Sequence, residues 1–268
     1  KPVILHGAGP MISEALEKDG IEFSFVDGQR VTSDEVRNVA TEVFHVTNQT
    51  IVDALESQGA KAQGLVSDVF QCNKAKPELG LVGEINAVNV ERVNSILESD
   101  IIPVIAPMGY EGEEILNINA DIATVELVKA INPYKVIFLS ETGGIFNERD
   151  QLIETINLVL EYEDLMQQEW LHSGMKLKLE QIKILLDHLP KTSSVSITQP
   201  INLPKELFTD SGSGTLIKHG YSVNQHSLPD KAIEDQFKVI IESSFNGSLV
   251  ENFFDQQDEL CIFMTSCK

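Results

Sequence analysis

Cysteine is scarce in this sequence, and its few cysteines lie far apart. Cys72, Cys261 and Cys267 are odd in number and widely spaced, so they match neither a disulfide framework nor a metal cage, and a reducing compartment is expected. Long hydrophobic runs are also missing, since the longest apolar stretches are far shorter than a membrane span. We therefore expect no membrane association and interpret the three thiols as ordinary buried or surface side chains.

Basic residues are about half as frequent as acidic ones. The 268 residues include 20 Lys and Arg against 41 Asp and Glu, which gives a formal net charge of −21. Such a surface repels nucleic acid, so no nucleic-acid partner is expected, and any polyphosphate ligand needs a local positive pocket. With 42% hydrophobic residues, the chain can bury one large core, or one core and a fragment of a second domain.

Strand-like apolar runs alternate with helix-like segments along most of the chain. The predicted strands are 3–5, 64–70, 101–106, 136–140 and 194–198, and the predicted helices are 11–20, 34–58, 90–98, 121–131 and 176–189. This alternation favours a mostly parallel sheet with helices on both faces. In segment 34–58 we predict Ser33 as the N-cap. A helical stripe there is assigned to the core: Val36, Val39, Val43, Val46 and Leu55.

The pattern changes near Gly220. A turn-rich segment at 209–214 precedes a predicted strand at 215–218, and a polar stretch at 224–230 leads to an amphipathic helix at 232–243. The apolar run at 260–265 then predicts a strand without a downstream partner. We interpret this tail as the beginning of a second domain.

The strongest local signal is the loop His6-Gly7-Ala8-Gly9-Pro10 between a strand and a helix. Glycines let backbone N–H groups converge on phosphate oxygens, and the helix directs the positive end of its dipole to the same point. The loop is neither the Walker loop nor the dinucleotide fingerprint. It predicts an anion site at Gly7, Ala8 and Gly9, although a sharp turn without a ligand is the alternative.

Two further segments place polar groups at the entrance to predicted helices. Arg30 lies between a glycine turn and the Ser33 cap, where a planar guanidinium suits a bidentate grip on a carboxylate; a surface salt bridge is the alternative. Asn117 and Asp121 are four residues apart and share a face if the helix begins early. Asp121 can then orient a cation, unless it or Asn119 only caps the helix.

Two segments are suited to a nucleotide. Ser140, Gly143 and Gly144 form a second strand-to-glycine turn, which a plain hairpin also explains. Lys178 enters the helix that follows His172, in the main local concentration of positive charge, which includes Lys183. A lysine at a helix start can reach a phosphate, and a solvated helix face is the alternative.

Together these groups provide an anion loop, a carboxylate-binding arginine, an organising aspartate and a lysine. Phosphoryl transfer to a carboxylate requires this combination, since it mainly needs two anions brought in line and the transferring charge neutralised. The sequence therefore predicts a carboxylate kinase.

Seven ordered motifs resemble the amino acid kinase family. They are His6–Pro10 and the segments 27–32, 81–85, 102–106, 116–121, 174–178 and 207–215. The similarity extends to the arginine-sensitive members that phosphorylate N-acetyl-L-glutamate and continue into an acetyltransferase domain. The resemblance implies an αβα sandwich with an open, mostly parallel central sheet. It also implies ATP-dependent formation of an acyl phosphate on the γ-carboxylate, in arginine biosynthesis.

The resemblance also assigns roles to the candidate residues. The amides of Gly7, Ala8 and Gly9 would hold the γ-phosphoryl group and the attacking carboxylate, with Ala8 where a glycine is common. Arg30 and Asn117 would bind N-acetylglutamate, and Asp121 would organise the lysines. Lys178 would stabilise the transition state on the ATP side. Ser140, Gly143 and Gly144 would lie along the nucleotide. Mg²⁺ would accompany ATP without a protein ligand, and no metal-ligating residues are assigned.

One departure from the family concerns the beginning of the chain. The family opens with a strand that carries Lys-x-Gly-Gly, and this sequence begins at the second strand. We therefore expect a kinase domain without its first strand over residues 1–220. A linker and the beginning of an acetyltransferase-like domain are expected over 221–268.

Alternatives and cellular context also follow from the resemblance. The domain could be a catalytically silent arginine-sensing module of a synthase, or a related carboxylate or carbamate kinase. Arginine is expected as a feedback inhibitor at 207–215, where a plain loop is the alternative. We also expect a homo-oligomer, either a dimer or a tetramer. The compartment would be the cytoplasm of a bacterium or the mitochondrial matrix of a fungus.

Overall fold

The computed structural model describes residues 1–209, 212–220, 222–227, 231–245 and 261–266. The strands within these residues are β1 (Ile4–Leu5), β2 (Phe25–Val26), β3 (Gln29–Arg30), β4 (Ala62–Leu65), β5 (Phe70–Lys74), β6 (Gly83–Val88), β7 (Ile102–Ile105), β8 (Met108–Glu111), β9 (Glu114–Asn117), β10 (Val136–Leu139), β11 (Thr155–Asn157), β12 (Ser194–Thr198), β13 (Thr215–Lys218), β14 (Ser222–Ser227) and β15 (Cys261–Ser266). The α-helices are α1 (Gly9–Lys18), α2 (Asp34–Ser57), α3 (Val90–Glu98), α4 (Ala120–Ile131), α5 (Leu158–Met166), α6 (Ser173–His188), α7 (Leu203–Phe208) and α8 (Lys231–Phe245).

The first sheet has the order β1-β7-β4, and all its strands are parallel. Successive residues of a strand face opposite sides of a sheet. Accordingly, Ile105 packs in the core beneath α3, while the next residue, Ala106, packs with α1 and α2. The helices therefore cover both faces of this sheet, as the alternating sequence pattern predicts.

The second sheet has the order β10-β12-β13-β11. The β10–β12 and β11–β13 pairs are parallel, and β12–β13 is antiparallel. Its core includes Leu179, Ile182, Leu185 and Leu186 of α6, which are completely buried. Helix α6 is thus held by an apolar face against the second sheet, and this packing fixes where its polar N-terminal part projects.

Smaller sheets complete the described structure. The third sheet, β6-β5-β8-β9, is mixed, and β2 pairs with β3 in a short antiparallel hairpin. Strand β14 pairs antiparallel with β15. The final apolar run therefore has an upstream strand partner, and the first part of the polar stretch predicted at 224–230, residues 224–227, belongs to this strand.

Several predicted elements are confirmed with their boundaries. Helix α3 and strands β12 and β13 have the predicted limits, and α2 begins after Ser33, whose Oγ accepts a hydrogen bond of 3.3 Å from Val36 N. The single strand predicted at 64–70 is wrong, because β4 and β5 are separate strands in different sheets. The α2 core stripe is only partly confirmed, since Val46 is 62% exposed whereas Phe44 is buried.

None of the helices in the described ranges is both long enough and apolar enough to cross a bilayer. Of the cysteines, Cys72 is a buried free thiol, and Cys267 lies outside the described residues.

Candidate active site

The glycine loop forms the N-terminus of α1 and one wall of a cavity. Ala8 is the residue before the helix, and its φ of −147° is negative, so the position does not need a glycine. The cavity has a volume of about 210 Å³. Its lining combines the loop with residues from the β2–β3 hairpin, α2 and the segment before α4: Gly7, Ala8, Gly9, Ile12, Phe25, Gly28, Gln29, Arg30, Phe44, Val82, Pro107, Asn117, Ile118, Asn119 and Ala120.

Arg30 reaches this cavity from β3. Its Nη2 donates hydrogen bonds to Gly9 O at 3.0 Å and to Ser13 Oγ at 2.8 Å. Its guanidinium carbon lies 4.7 Å from the ring centroids of both Phe23 and Phe25, a distance suited to cation–π attraction. Arg30 is therefore fixed by hydrogen bonds to Gly9 and Ser13 and by packing against two aromatic rings.

Arg30 has no acidic partner within the described part of the chain. The residue is only 7% exposed, its Nη1 has no hydrogen-bond partner, and no acidic side chain of the described ranges forms a salt bridge with it. Burial lowers the pKa of Arg30, but an arginine stays protonated in proteins. The alternative of a surface salt bridge is thus wrong, and the cavity wall carries an uncompensated positive charge.

Asn117 ends β9 on the same side of the cavity. Its Nδ2 donates to Thr32 Oγ1 at 3.2 Å, and Thr32 Oγ1 donates to Arg30 O at 2.9 Å. Asn117 and Asp121 would share a helix face only if the helix began early, and this condition is not met, because Asn117 is the last residue of β9 and α4 begins at Ala120. Asn119 is instead the cap of α4, and its Oδ1 accepts from Asp121 N at 2.9 Å.

Asp121 is directed to Lys178 rather than used as a cap. The two side chains form an ion pair between α4 and α6, with 17% and 21% of their side-chain surfaces exposed. Lys178 Nζ also lies 4.8 Å from the centre of the Phe138 ring in β10. Gly7 of the glycine loop lies next to the first residue of α4, since a Cβ added to Gly7 would lie 3.4 Å from Ala120 Cβ. The glycine loop therefore lies close to the start of α4, and the next residue of α4, Asp121, pairs with Lys178.

The second glycine turn follows β10 at the end of the second sheet. Ser140 N donates to Thr198 O at 2.9 Å, and Gly143 N donates to Ser140 O at 3.1 Å. Gly143 has a φ of +75°, which favours glycine, and a Cβ at Gly144 would lie 2.4 Å from Leu152 Cδ1 and 2.8 Å from Thr215 Oγ1, so a side chain there would displace its neighbours. Phe138, whose ring lies 4.8 Å from Lys178 Nζ, is in the strand that ends directly before Ser140.

Lys183, which is close to Lys178 in the sequence, forms an ion pair at the surface. Lys183, one turn after Lys178, pairs with Asp187 at 2.7 Å on the exposed face of α6, so the solvated-face interpretation is correct for Lys183. In the described part of the chain, no group of three or more His, Cys, Asp or Glu side chains is arranged to hold a metal ion.

Sequence reasoning missed the residues that hold Arg30. Phe23 and Phe25 contact its guanidinium, and Ser13 and Thr32 bind its Nη2 and its carbonyl oxygen. The period-two pattern Phe23-Ser24-Phe25 before a Gly28 turn is a hairpin signal that could have revealed the two rings. Ser13 carries no such signal, because its role depends on how α1 packs against the hairpin.

Comparison with known proteins gives the same assignment as the motifs. The model of the amino acid kinase family matches residues 1–193. An acetylglutamate kinase of Xylella fastidiosa strain 9a5c is 45% identical over 256 residues, which are 95% of this chain and 61% of that protein. An acetylglutamate kinase of Sulfurimonas denitrificans is 35% identical over 81% of this chain and 80% of its own length.

A solved structure supports the fold beyond the family match. N-acetylglutamate synthase from Neisseria gonorrhoeae, complexed with coenzyme A and N-acetylglutamate, is 18% identical, with a TM-score of 0.80 over 97% of this chain and 63% of that chain. The present chain spans about three fifths of the Xylella relative, and the domain boundary at residue 220 stays a prediction. The chain belongs to the amino acid kinase family.

Proposed function

We propose that this chain carries the kinase activity that converts ATP and N-acetyl-L-glutamate into ADP and the γ-acyl phosphate of N-acetylglutamate, a step of arginine biosynthesis. The observation that carries the proposal is Arg30, a buried guanidinium that lines a cavity and has no salt-bridge partner among the residues that the structure describes. A carboxylate is the ligand that a planar guanidinium prefers. The 45% identity to a protein named acetylglutamate kinase indicates which carboxylate.

Arg30 and Asn117 would bind the α-carboxylate and the neighbouring polar groups of N-acetylglutamate. Both lie in the cavity wall and are linked through Thr32, so the substrate would meet groups already held in place. Preorganised groups of this kind lower the cost of orienting two reactants. The γ-carboxylate of the substrate is ionised near neutral pH, so no protein base is required.

The glycine loop would receive the transferring phosphoryl group. Backbone N–H groups at Gly7, Ala8 and Gly9 lie at the N-terminus of α1, where the helix dipole favours an anion. Lys178, oriented by Asp121, would neutralise the charge that develops on the ATP side. Ser140, Gly143 and Gly144 would lie along the nucleotide. Mg²⁺ bound to ATP would screen the phosphate charges without a protein ligand.

A substrate panel tests the proposal. The full-length protein is assayed for ADP release with ATP and N-acetyl-L-glutamate, N-acetyl-L-aspartate, L-glutamate or carbamate. N-acetylglutamate is expected to be preferred by about 10⁴-fold or more over glutamate, since a site that pairs buried polar groups rejects analogues that leave them unpaired. Preference for carbamate, or equal rates for all substrates, would contradict the assignment.

We also infer that L-arginine inhibits the enzyme by binding near residues 207–215. The proposal is supported by the family resemblance of this segment. Asp210 and Ser211 lie outside the described residues. Calorimetric titration with arginine is expected to show binding, and activity assays at the same arginine concentrations are expected to show a parallel loss of activity.

We further propose, on the same resemblance, that the protein forms a homo-oligomer. Its location would be cytoplasmic or mitochondrial according to the source organism.

A further inference from the structure

Asn48 links helix α2 to the residue that precedes the glycine loop. It is 3% exposed, and its Nδ2 lies 2.9 Å from Val104 O in β7 and 3.1 Å from His6 Nε2. Gly64 in β4 makes room for it, because a Cβ at Gly64 would lie 2.1 Å from Asn48 Oδ1. The Asn48 side chain can therefore approach the first sheet because residue 64 is a glycine and has no side chain.

These contacts determine the orientation of the Asn48 amide. A carbonyl oxygen can only accept hydrogen bonds, so the group that faces Val104 O must be the NH₂ of Asn48. The same NH₂ has a second hydrogen, which is directed to His6 Nε2. His6 Nε2 must therefore be the acceptor nitrogen, and the ring proton must lie on Nδ1, which is 3.4 Å from Gly7 O.

The His6 ring is also constrained by its surroundings. It is 8% exposed, and its centroid lies 6.0 Å from that of Phe44, which precedes Asn48 by one helical turn and lines the cavity. The His6 backbone N donates to Ile105 O at 3.1 Å. Burial lowers the pKa of His6, and the carbonyl of Gly7 acts in the opposite direction, which agrees with a neutral ring.

We propose that Asn48 is a positioning residue for the glycine loop. Acting through His6, it holds one imidazole tautomer and one ring orientation, and so fixes the backbone from which the N–H groups of Gly7, Ala8 and Gly9 project. The inference rests on the proposed function, because it assigns these amides to the transferring phosphoryl group. A loop displaced by about 1 Å can cost about 10²-fold in rate, so this support is expected to affect kcat.

The first test compares variants of the full-length protein. Asn48→Leu removes both donors and keeps a side chain that branches at Cγ, and Asn38→Leu makes the same change at an exposed position of α2. We expect Asn48→Leu to lower kcat about 10- to 100-fold, with KM for both substrates changed less than about threefold, and Asn38→Leu to behave like the wild type. A merely structural role would lower the melting temperature and leave kcat of the folded variant unchanged.

The second test does not depend on activity. Nitrogen-15 NMR of His6 is expected to show a neutral ring protonated on Nδ1, and Asn48→Leu is expected to shift the amide resonances of Gly7, Ala8 and Gly9. If Asn48→Leu fails to fold, His6→Gln serves instead, because a glutamine oxygen can accept at the Nε2 position; it is expected to retain kcat within about tenfold while His6→Leu loses more.

The results separate this inference from the proposed function. A His6 ring protonated on Nε2, or a folded Asn48→Leu variant with the wild-type kcat and unshifted loop amides, would overturn the positioning role. A wild-type protein inactive on N-acetylglutamate would overturn the proposed function, while the NMR experiment would still decide whether Asn48 fixes His6 and the loop.

Discussion

Lys178 and Asp121 form an ion pair although 57 residues separate them in the chain. Asp121 lies in the first turn of α4, beside the cavity, and Lys178 lies in α6, which packs on the second sheet. The pair therefore joins the two halves of the candidate site. It holds a cation in one place near the glycine loop, where an incoming phosphate would need it.

The first prediction concerns this cation. Lys178→Met is expected to lower kcat about 10²- to 10³-fold, because it removes a preorganised charge stabiliser. Asp121→Asn leaves Lys178 in place but unpaired, so a smaller loss is expected. Steady-state kinetics with both substrates measure the effect. Lys183→Met, on the exposed face of the same helix, is the control, and a Lys178→Met variant with normal kcat would show that this lysine is not catalytic.

The second prediction concerns carboxylate binding by Arg30. Arg30→Lys keeps the charge but loses the planar fork and the two-ring packing, so KM for N-acetylglutamate is expected to rise about 10- to 100-fold, as for the loss of a charged hydrogen bond. KM for ATP should change little. Arg37→Lys at the α2 surface is the matched control. Equal increases in both KM values would place Arg30 outside the substrate site.

The third prediction separates ligand binding from folding at Gly9. A Cβ at Gly9 would meet no atom within 4 Å, and the residue lies in the cavity wall. Gly9→Ala is therefore expected to change the free energy of unfolding by less than about 0.5 kcal/mol. It should still lower kcat/KM about tenfold or more, because the methyl group would displace the reacting groups. Urea unfolding measures the stability and steady-state kinetics measure kcat/KM, with Glu14→Ala in α1 as the control. A Gly9→Ala variant with full activity would show that nothing binds against Gly9.

The fourth prediction concerns Glu206, which is 4% exposed. Burial would raise its pKa, but hydrogen bonds from Lys135, Ser196 and Ser213 outweigh this, and the pKa is lowered from its ordinary 4.5. The contribution of the Glu206 carboxylate to the free energy of unfolding is therefore fully present above pH 4.5. It is lost as the pH falls through the lowered pKa that Glu206 has in the folded protein. Glu206→Gln is expected to lower the free energy of unfolding by about 2 kcal/mol at pH 7.

The pH dependence provides the check on Glu206. The difference in stability between the wild type and Glu206→Gln should narrow in urea unfolding experiments as the pH is lowered through the acid range. Glu14→Gln, at an exposed position of α1, should show no comparable change. A difference that stays constant with pH would mean that the Glu206 carboxylate is not stabilised by its charge.

Much of the fold could be predicted because helices and strands differ in hydrophobic period. Helix α3 and strand β12 have strong apolar patterns and were placed correctly. The sequence pattern does not reveal the third sheet, since strands such as β6 and β8 contain a glycine and mix polar with apolar residues instead of forming an apolar run. Period alone does not identify such strands, because their pairing depends on contacts with distant segments.

The candidate site was predictable in its local motifs and not in its long-range contacts. The glycine loop and Arg30 stand out because glycine and arginine have specific chemistry next to a turn. The Asn48–His6 contact joins residues 42 positions apart, and Asn48 reads in the sequence as an ordinary polar residue of a long helix. Its role depends on the opening at Gly64, which only the packing of α2 on β4 reveals.

The most direct measurement of the central claim is the formation of acyl phosphate itself. The full-length protein is incubated with ATP, Mg²⁺, N-acetyl-L-glutamate and hydroxylamine, and the γ-hydroxamate is quantified for the wild type and Lys178→Met. The account predicts hydroxamate formation that requires both substrates and falls about 10²-fold or more in the variant. A folded wild-type protein that forms no hydroxamate, or a variant that forms as much as the wild type, would contradict it.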